Sequence, residues 1–244
     1  MRNKISYFSG WKADQNEGDI VSMELMQNVS NRTRWKSPPN LGWLECDLSK
    51  NEIDHLWKCV DQSMKRNPVS FKEGLAGNIS HSYSLKDLDD YFFNNTITPL
   101  MVLYKDFFDN MLETLPVLDE HLINFEPKLE RFWVNYQKQH DFNPIHDHAG
   151  VYSFVIWLKI PIDFDEQNKD NITNTPLRSA FQFMYSNILG KQSSFTYQLG
   201  KKYEGKMLFF PSRLPHTVYP FYNCKEDRIS ISGNIFMRRK NDAL

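Results

Sequence analysis

The chain has 244 residues but only three cysteines, Cys46, Cys59 and Cys224, far apart and without a Cys-x-x-Cys. An odd, unpaired count gives no disulfide framework and no zinc ribbon, and it fits a reducing, cytoplasmic setting. Long apolar runs are also missing. The longest, such as Phe154 to Leu158, fall far short of the roughly 20 residues that cross a bilayer. The opening Met-Arg-Asn-Lys-Ile-Ser lacks the apolar core of a secretory leader. Neither sign of charge is in excess, with 29 Lys and Arg against 30 Asp and Glu. Without such a field, nothing draws the chain generically to nucleic acid or to an anionic membrane. The basic run Arg238-Arg239-Lys240 reads as a solvated tail.

What is present is an ordinary globular mixture, 41% apolar and 24% charged, long enough to bury one sizeable core. The expected layout is a single domain over 1–244, with a largely helical support region in 1–125 and a strand-rich core in 126–240. Ile20 to Met26 suits a short strand, and residues 31–40, with Pro38-Pro39, suit a loop. Residues 49–65 read as a helix: Ser49 and Glu52 form a capping box, and Ile53, Leu56, Trp57, Val60 and Met64 recur at helical spacing. A short helix is expected over 84–93. A longer one is expected over 98–115, with Thr98 as N-cap, Pro99 at the first helical position, and a stripe of Leu100, Leu103, Phe107, Met111 and Leu115 ended by Pro116.

From about residue 128 the texture changes to short β-branched and aromatic runs. Strands are expected over 128–137, 151–160, 180–185, 194–199, 206–210 and 228–237, separated by turn residues such as Asn143-Pro144, Gly200 and Pro211-Ser212. Helices first and many short strands later point to an α+β, mainly β fold: a sandwich or jelly roll with N-terminal helices packed on one sheet. The polar, Asn-rich stretch 163–175 reads as a long mobile loop and a candidate substrate cover.

Three of the seven histidines carry the chemistry. His146 and His148 flank Asp147, and alternate residues of a strand point to one face, so the two imidazoles can project together. His216 follows 70 residues after His146. Two imidazoles from one strand and one from a distant strand would hold one side of a metal ion and leave the other side open. Arg228 lies twelve residues beyond His216, with Ser230 two positions further on the same strand face. A guanidinium and a hydroxyl so placed can grip a carboxylate. Ile229 and Ile231 bury the other face, and an inward Arg228 would need an anionic partner.

The ordered set His146-Asp147-His148, then Phe210-Pro211-Ser212-Arg213-Leu214-Pro215-His216-Thr217-Val218-Tyr219-Pro220, then Arg228-Ile229-Ser230-Ile231-Ser232-Gly233-Asn234 resembles the double-stranded β-helix 2-oxoglutarate/Fe(II) oxygenases. The likeness is nearest to the prolyl-hydroxylase-like group and to bacterial and phage oxygenases. It implies Fe(II), with 2-oxoglutarate as cosubstrate and O2, and hydroxylation of a substrate coupled to decarboxylation of 2-oxoglutarate to succinate and CO2. It implies that His146 and His216 ligate iron. It also implies that Arg228 binds the distal carboxylate of 2-oxoglutarate with Ser230 beside it, and that Tyr136 and Trp157 touch the cosubstrate.

Most of that superfamily has His-x-Asp or His-x-Glu, whereas this chain has His148 at the third position. Either His148 ligates directly, or a bulge turns Asp147 inward as the ligand. Two other readings stand beside the oxygenase: a cupin-like metal dioxygenase using no 2-oxo acid, and a non-catalytic β-sandwich binding module. The substrate, small-molecule or peptidyl, and the oligomeric state do not follow from the sequence.

Overall fold

The computed structural model describes residues 40–65, 67–108 and 125–240, together with 27, 30, 31, 33 and 34. The expected strand at 20–26, the helical positions 109–115 with Met111 and Leu115, Pro116, and Pro38-Pro39 lie outside the described residues. The chain has two compact units, Met1–Pro38 and Pro39–Leu244. In the first unit, Gln27 Nε2 donates to Asn31 Oδ1 (3.3 Å) and the Thr33 amide donates to the Ser30 carbonyl (3.2 Å). All that follows concerns the second unit.

Helix α1 spans Lys50–Lys65. Its start is the expected capping box: the Ser49 amide donates to Glu52 Oε2 (2.7 Å) and the Glu52 amide to Ser49 Oγ (3.4 Å). Helix α2 spans Thr98–Phe108. Thr98 is not its N-cap, because helical backbone already runs through the π-helical turn Phe93–Ile97 and Thr98 itself is helical. The cap lies at Asp87, whose carboxylate accepts the free amides of Phe92 (3.1 Å) and Phe93 (2.7 Å). This earlier start changes which side is buried. Ile97, Leu100 and Tyr104 face the core, while Leu103 and Phe107, assigned to the apolar stripe, are exposed.

Among the described residues ten strands follow one another: β1 Leu44–Asp47, β2 His81–Ser84, β3 Phe125–Gln137, β4 Asn143–His146, β5 Tyr152–Lys159, β6 Phe181–Ser186, β7 Gln192–Tyr197, β8 Lys206–Pro211, β9 His216–Val218 and β10 Arg228–Arg239. They form a six-stranded sheet, β1-β8-β5-β10-β3-β2, and a four-stranded sheet, β4-β9-β6-β7. Every pairing is antiparallel. The fold is mixed helix and sheet with strands predominating.

Strand alternation divides the core into two layers. From β5 and β8, Phe154, Ile156, Met207 and Phe209 pack with Leu56, Val60, Leu100 and Tyr104 of the helices. The intervening Val155, Trp157, Leu208 and Phe210 pack with Phe181, Phe183 and Tyr197 of the small sheet. The larger sheet is therefore covered on both faces, which is why β5 reads as a continuous apolar run rather than an alternating one. The helices lie on one sheet, as expected.

The stretch 163–175 is more ordered than its polarity suggests. Asp163 accepts the amides of Asp165 (2.9 Å) and Glu166 (3.2 Å) and starts the short helix α3, Phe164–Asn168. Phe164 is buried, and Gln167 exchanges two 2.8 Å hydrogen bonds with the backbone of Tyr222.

Candidate active site

His146 and His216 face each other in register across β4 and β9. An irregularity between Asn143 and His146 lets these two residues, three apart, turn to the same side. His148 lies just past the end of β4, and its amide donates to the Ser212 carbonyl at 2.8 Å. The turn carrying Ser212 is itself fixed from below, since Ser153 Oγ lies 2.9 Å from Ser212 Oγ and 2.8 Å from Asn234 Oδ1.

The three rings converge, with centroids 4.3–5.0 Å apart, and each offers one nitrogen within 4.8 Å of the others. Nε2 of His148 and Nε2 of His216 are 3.2 Å apart, close to the spacing of two imidazoles at about 2.1 Å from one ion. Nδ1 of His146 meets the Pro144 carbonyl at 2.7 Å and Nδ1 of His216 meets the Leu214 carbonyl at 3.0 Å. Only a protonated Nδ1 can make these bonds, so in the neutral ring both Nε2 lone pairs are free to ligate.

Burial lowers the pKa of all three rings, and repulsion from neighbouring imidazoles lowers His148 and His216 further. The His148 pKa is pushed down to about 4, and that of His216 well below the ordinary range. For His146, burial outweighs its bond to Pro144 and the nearby Asp147 charge. Asp147 is not in the convergent set; its carboxylate turns to Arg213, 3.6 Å away at the surface.

The same cleft is lined by Arg228, Ser230 and Ser232 of β10 and by Gln137, Asn135 and Trp133 of β3, which pair in that order across the two strands. Arg228 is 1% exposed. Its Nε and Nη2 donate to Gln137 Oε1 (3.0 and 2.7 Å), Nη1 to the Ser179 carbonyl (2.8 Å), and Nη2 to the Tyr219 carbonyl (3.1 Å). No ion pair among the described residues includes it. Burial alone pushes its pKa down to about 9, so it remains a cation at neutral pH.

Residues 131–234 match the family described as "Putative 2OG-Fe(II) oxygenase". The match covers less than half of the chain. The matched segment holds all three histidines and Arg228. Similar solved structures include a Pseudomonas putida prolyl-4-hydroxylase, with 16% identity, covering 82% of this chain and 94% of that one at a TM-score of 0.44. Another is the viral collagen prolyl hydroxylase of Paramecium Bursaria Chlorella virus-1 in its 2OG complex, with 13% identity, 79% and 94% coverage and a TM-score of 0.41. A third is a 2OG-Fe(II) oxygenase family oxidoreductase from Burkholderia pseudomallei, with 12% identity, 96% and 95% coverage and a TM-score of 0.41. No curated protein matches the sequence.

The expected site residues divide. His146, His148, His216, Arg228, Ser230 and Trp157 all line the cleft. Tyr136 does not. It lies on the opposite face of β3, against Tyr83 at 6.2 Å and the helix-side cluster. On a strand, a shift of one residue reverses the face, so the inward neighbour is Gln137. Gln137, Asn135 and Trp133 were not anticipated, although the alternation in Trp133-Val134-Asn135-Tyr136-Gln137 carries the signal.

The cover of the cleft also differs from expectation. No residue of 163–175 lines it; Gly74, Leu75, Ala76 and Ile79 do. This strap is held by the Phe142 amide on the Asn78 carbonyl (3.2 Å), by Ser80 on the Asp141 carboxylate, and by Phe71 stacked on Trp133 at 4.5 Å. Beneath it, Trp133 Nε1, Asn135 Oδ1 and Asn143 Oδ1 are buried without a protein partner.

Proposed function

We propose that the protein is an Fe(II)- and 2-oxoglutarate-dependent dioxygenase that hydroxylates a small-molecule or peptidyl substrate, with 2-oxoglutarate decarboxylated to succinate and CO2. The observation that carries this reading is Arg228. A wholly buried guanidinium with only uncharged partners lines the same cleft as three convergent neutral imidazoles. A buried cation without a counter-ion is costly unless an anion joins it. A 2-oxo diacid bridging a metal and Arg228 meets both demands.

His146, His148 and His216 would hold the iron, with His148 in place of the usual carboxylate. The donor set fits, being three unprotonated nitrogens, two of them oriented by backbone carbonyls. When bound, iron supplies oxygen activation coupled to oxidative decarboxylation of the 2-oxo acid. Arg228 would neutralise the distal carboxylate of the cosubstrate, and the Ser230 hydroxyl, in register between Asn135 and Trp157, would add a hydrogen bond. Trp157, packed at 5.6 Å on Phe181, would wall the cosubstrate end against water. The 74–79 strap would shield the metal end and shape the substrate entrance.

In this reading the two antiparallel sheets are the walls of a double-stranded β-helix. Three free cysteines are in keeping with a cytoplasmic setting, and among the described residues no helix is long and apolar enough to cross a membrane. Anaerobic titration with Fe(II) and then 2-oxoglutarate tests the reading. The weak visible charge-transfer band of the chelate should form in the wild type and vanish in His216→Ala. Arg228→Ala should weaken 2-oxoglutarate far more than iron. A wild type that forms no chelate band would refute it.

A further inference from the structure

Arg228 is gripped most closely by Gln137, whose Oε1 accepts from both Nε and Nη2. The other end of the amide is used as well: Gln137 Nε2 donates to the Asp141 carbonyl at 2.7 Å. That second bond fixes which end of the amide faces Arg228, because only nitrogen can donate to a carbonyl. A glutamate has the same heavy-atom shape. It could accept the two guanidinium bonds, but it would set an oxygen against the Asp141 carbonyl. The contact with the Asp141 carbonyl therefore selects an uncharged amide.

The remaining partners of Arg228 are equally uncharged. They are the carbonyls of Ser179 and Tyr219, the Ser179 hydroxyl at 3.3 Å, and the ring of Phe221 at 5.5 Å. The carboxylate of Asp141 is engaged elsewhere, accepting from the Ser80 amide (2.6 Å), the Ser80 hydroxyl (3.0 Å) and the Lys138 amide (3.0 Å). The guanidinium is thus aimed by hydrogen bonds and left undischarged.

We propose that Gln137 is a positioning residue that orients Arg228 without neutralising it, and that it thereby sets the preference for a 2-oxo diacid over a 2-oxo monoacid. The inference rests on the proposed function and adds a residue that the recognised motif does not contain. Charge in the pocket is the deciding quantity. A protein carboxylate at position 137 would be a resident counter-ion, and an incoming distal carboxylate would meet a neutral pair in place of a free cation. A monoacid has no distal carboxylate to meet Arg228 and would not respond.

The test measures anaerobic binding of 2-oxoglutarate and of 2-oxobutanoate to the Fe(II)-loaded protein. In Gln137→Glu, 2-oxoglutarate affinity should fall by on the order of a hundred-fold, as when one partner of a buried charge pair is lost. Iron affinity and 2-oxobutanoate affinity should stay within about three-fold, so that the preference for the diacid collapses. Equal weakening of both acids would mark a merely structural role and overturn the inference, as would a wild-type preference. Should Gln137→Glu not fold, Gln137→Asn serves instead. It withdraws the acceptor by one methylene and should lose diacid affinity about ten-fold with the monoacid unchanged, and unchanged diacid binding would again overturn the inference. A wild type that binds iron but neither acid would overturn the proposed function itself, and this inference with it.

Discussion

Gly77→Ala isolates the contact between the strap and the strand that carries His146. A Cβ at Gly77 would lie 2.0 Å from Asn143 Oδ1, 2.3 Å from the Phe142 carbonyl oxygen and 2.5 Å from Asn143 Cα. Two of these atoms are backbone of the β4 region, so no rotamer change relieves the clash, and the strap must retreat by about 1–1.5 Å to reach ordinary contact. Overpacking of this kind costs about 1–3 kcal/mol. The retreat also breaks the Phe142 amide to Asn78 carbonyl bond, worth a further ~1 kcal/mol. The sum, about 2–4 kcal/mol, corresponds to a melting temperature lowered by roughly 5–15 °C for a unit of this size. Thermal unfolding followed by circular dichroism measures the global effect. Amide hydrogen exchange over residues 71–80 reports whether the strap lifts locally instead. A variant with the wild-type melting temperature, unchanged exchange in that segment and unchanged 2-oxoglutarate affinity would refute the reading of residues 74–79 as a clamped cover.

Two further outcomes follow from the same chemistry. His148 has its folded pKa depressed to about 4 from the ordinary 6.5. Between those values the unfolded chain binds the extra proton, so metal-free stability should fall as pH drops from about 6.5 towards about 4; urea midpoints across that window should decline less steeply in His148→Gln. For Cys59, burial pushes the thiol up to about 11, so near pH 8 a thiol reagent should modify the partly exposed Cys46 and Cys224 first, and Cys59 only on unfolding. Rapid reaction of Cys59 in the native protein, read by peptide mass mapping, would contradict its burial under the helical layer.

Much of the site was legible without coordinates. Metal ligation and carboxylate binding demand particular side chains at particular chain separations, and His146, His216, Arg228 and Ser230 stand in that order with apolar residues between them. The capping box at Ser49 and Glu52 is equally local, being two hydrogen bonds within four residues. The errors have one origin. Tyr136, Thr98 and the stripe through Leu103 and Phe107 each depend on the phase of an element, and phase is set by what the element packs against. β3 carries large side chains on both faces. Only the helical layer on one side and the cleft on the other decide that Tyr136 turns away and Gln137 turns in. Helical backbone from Tyr91, ahead of Thr98, likewise sets the phase of α2, in which Tyr104, not Leu103, reaches the core.

The sequence by itself determined the side chains available to this protein: imidazoles and an arginine at set separations, and a strand-rich frame to carry them. Only the tertiary structure decided how these meet. Which side chain joins His146 and His216 depends on a backbone bond from His148 to Ser212, 64 residues away. What covers the cleft depends on a glycine, Gly77, pressed against Asn143 from a segment more than 60 residues earlier in the chain. Neither contact leaves a local pattern, because each is a property of two distant segments brought together by the packing of the whole.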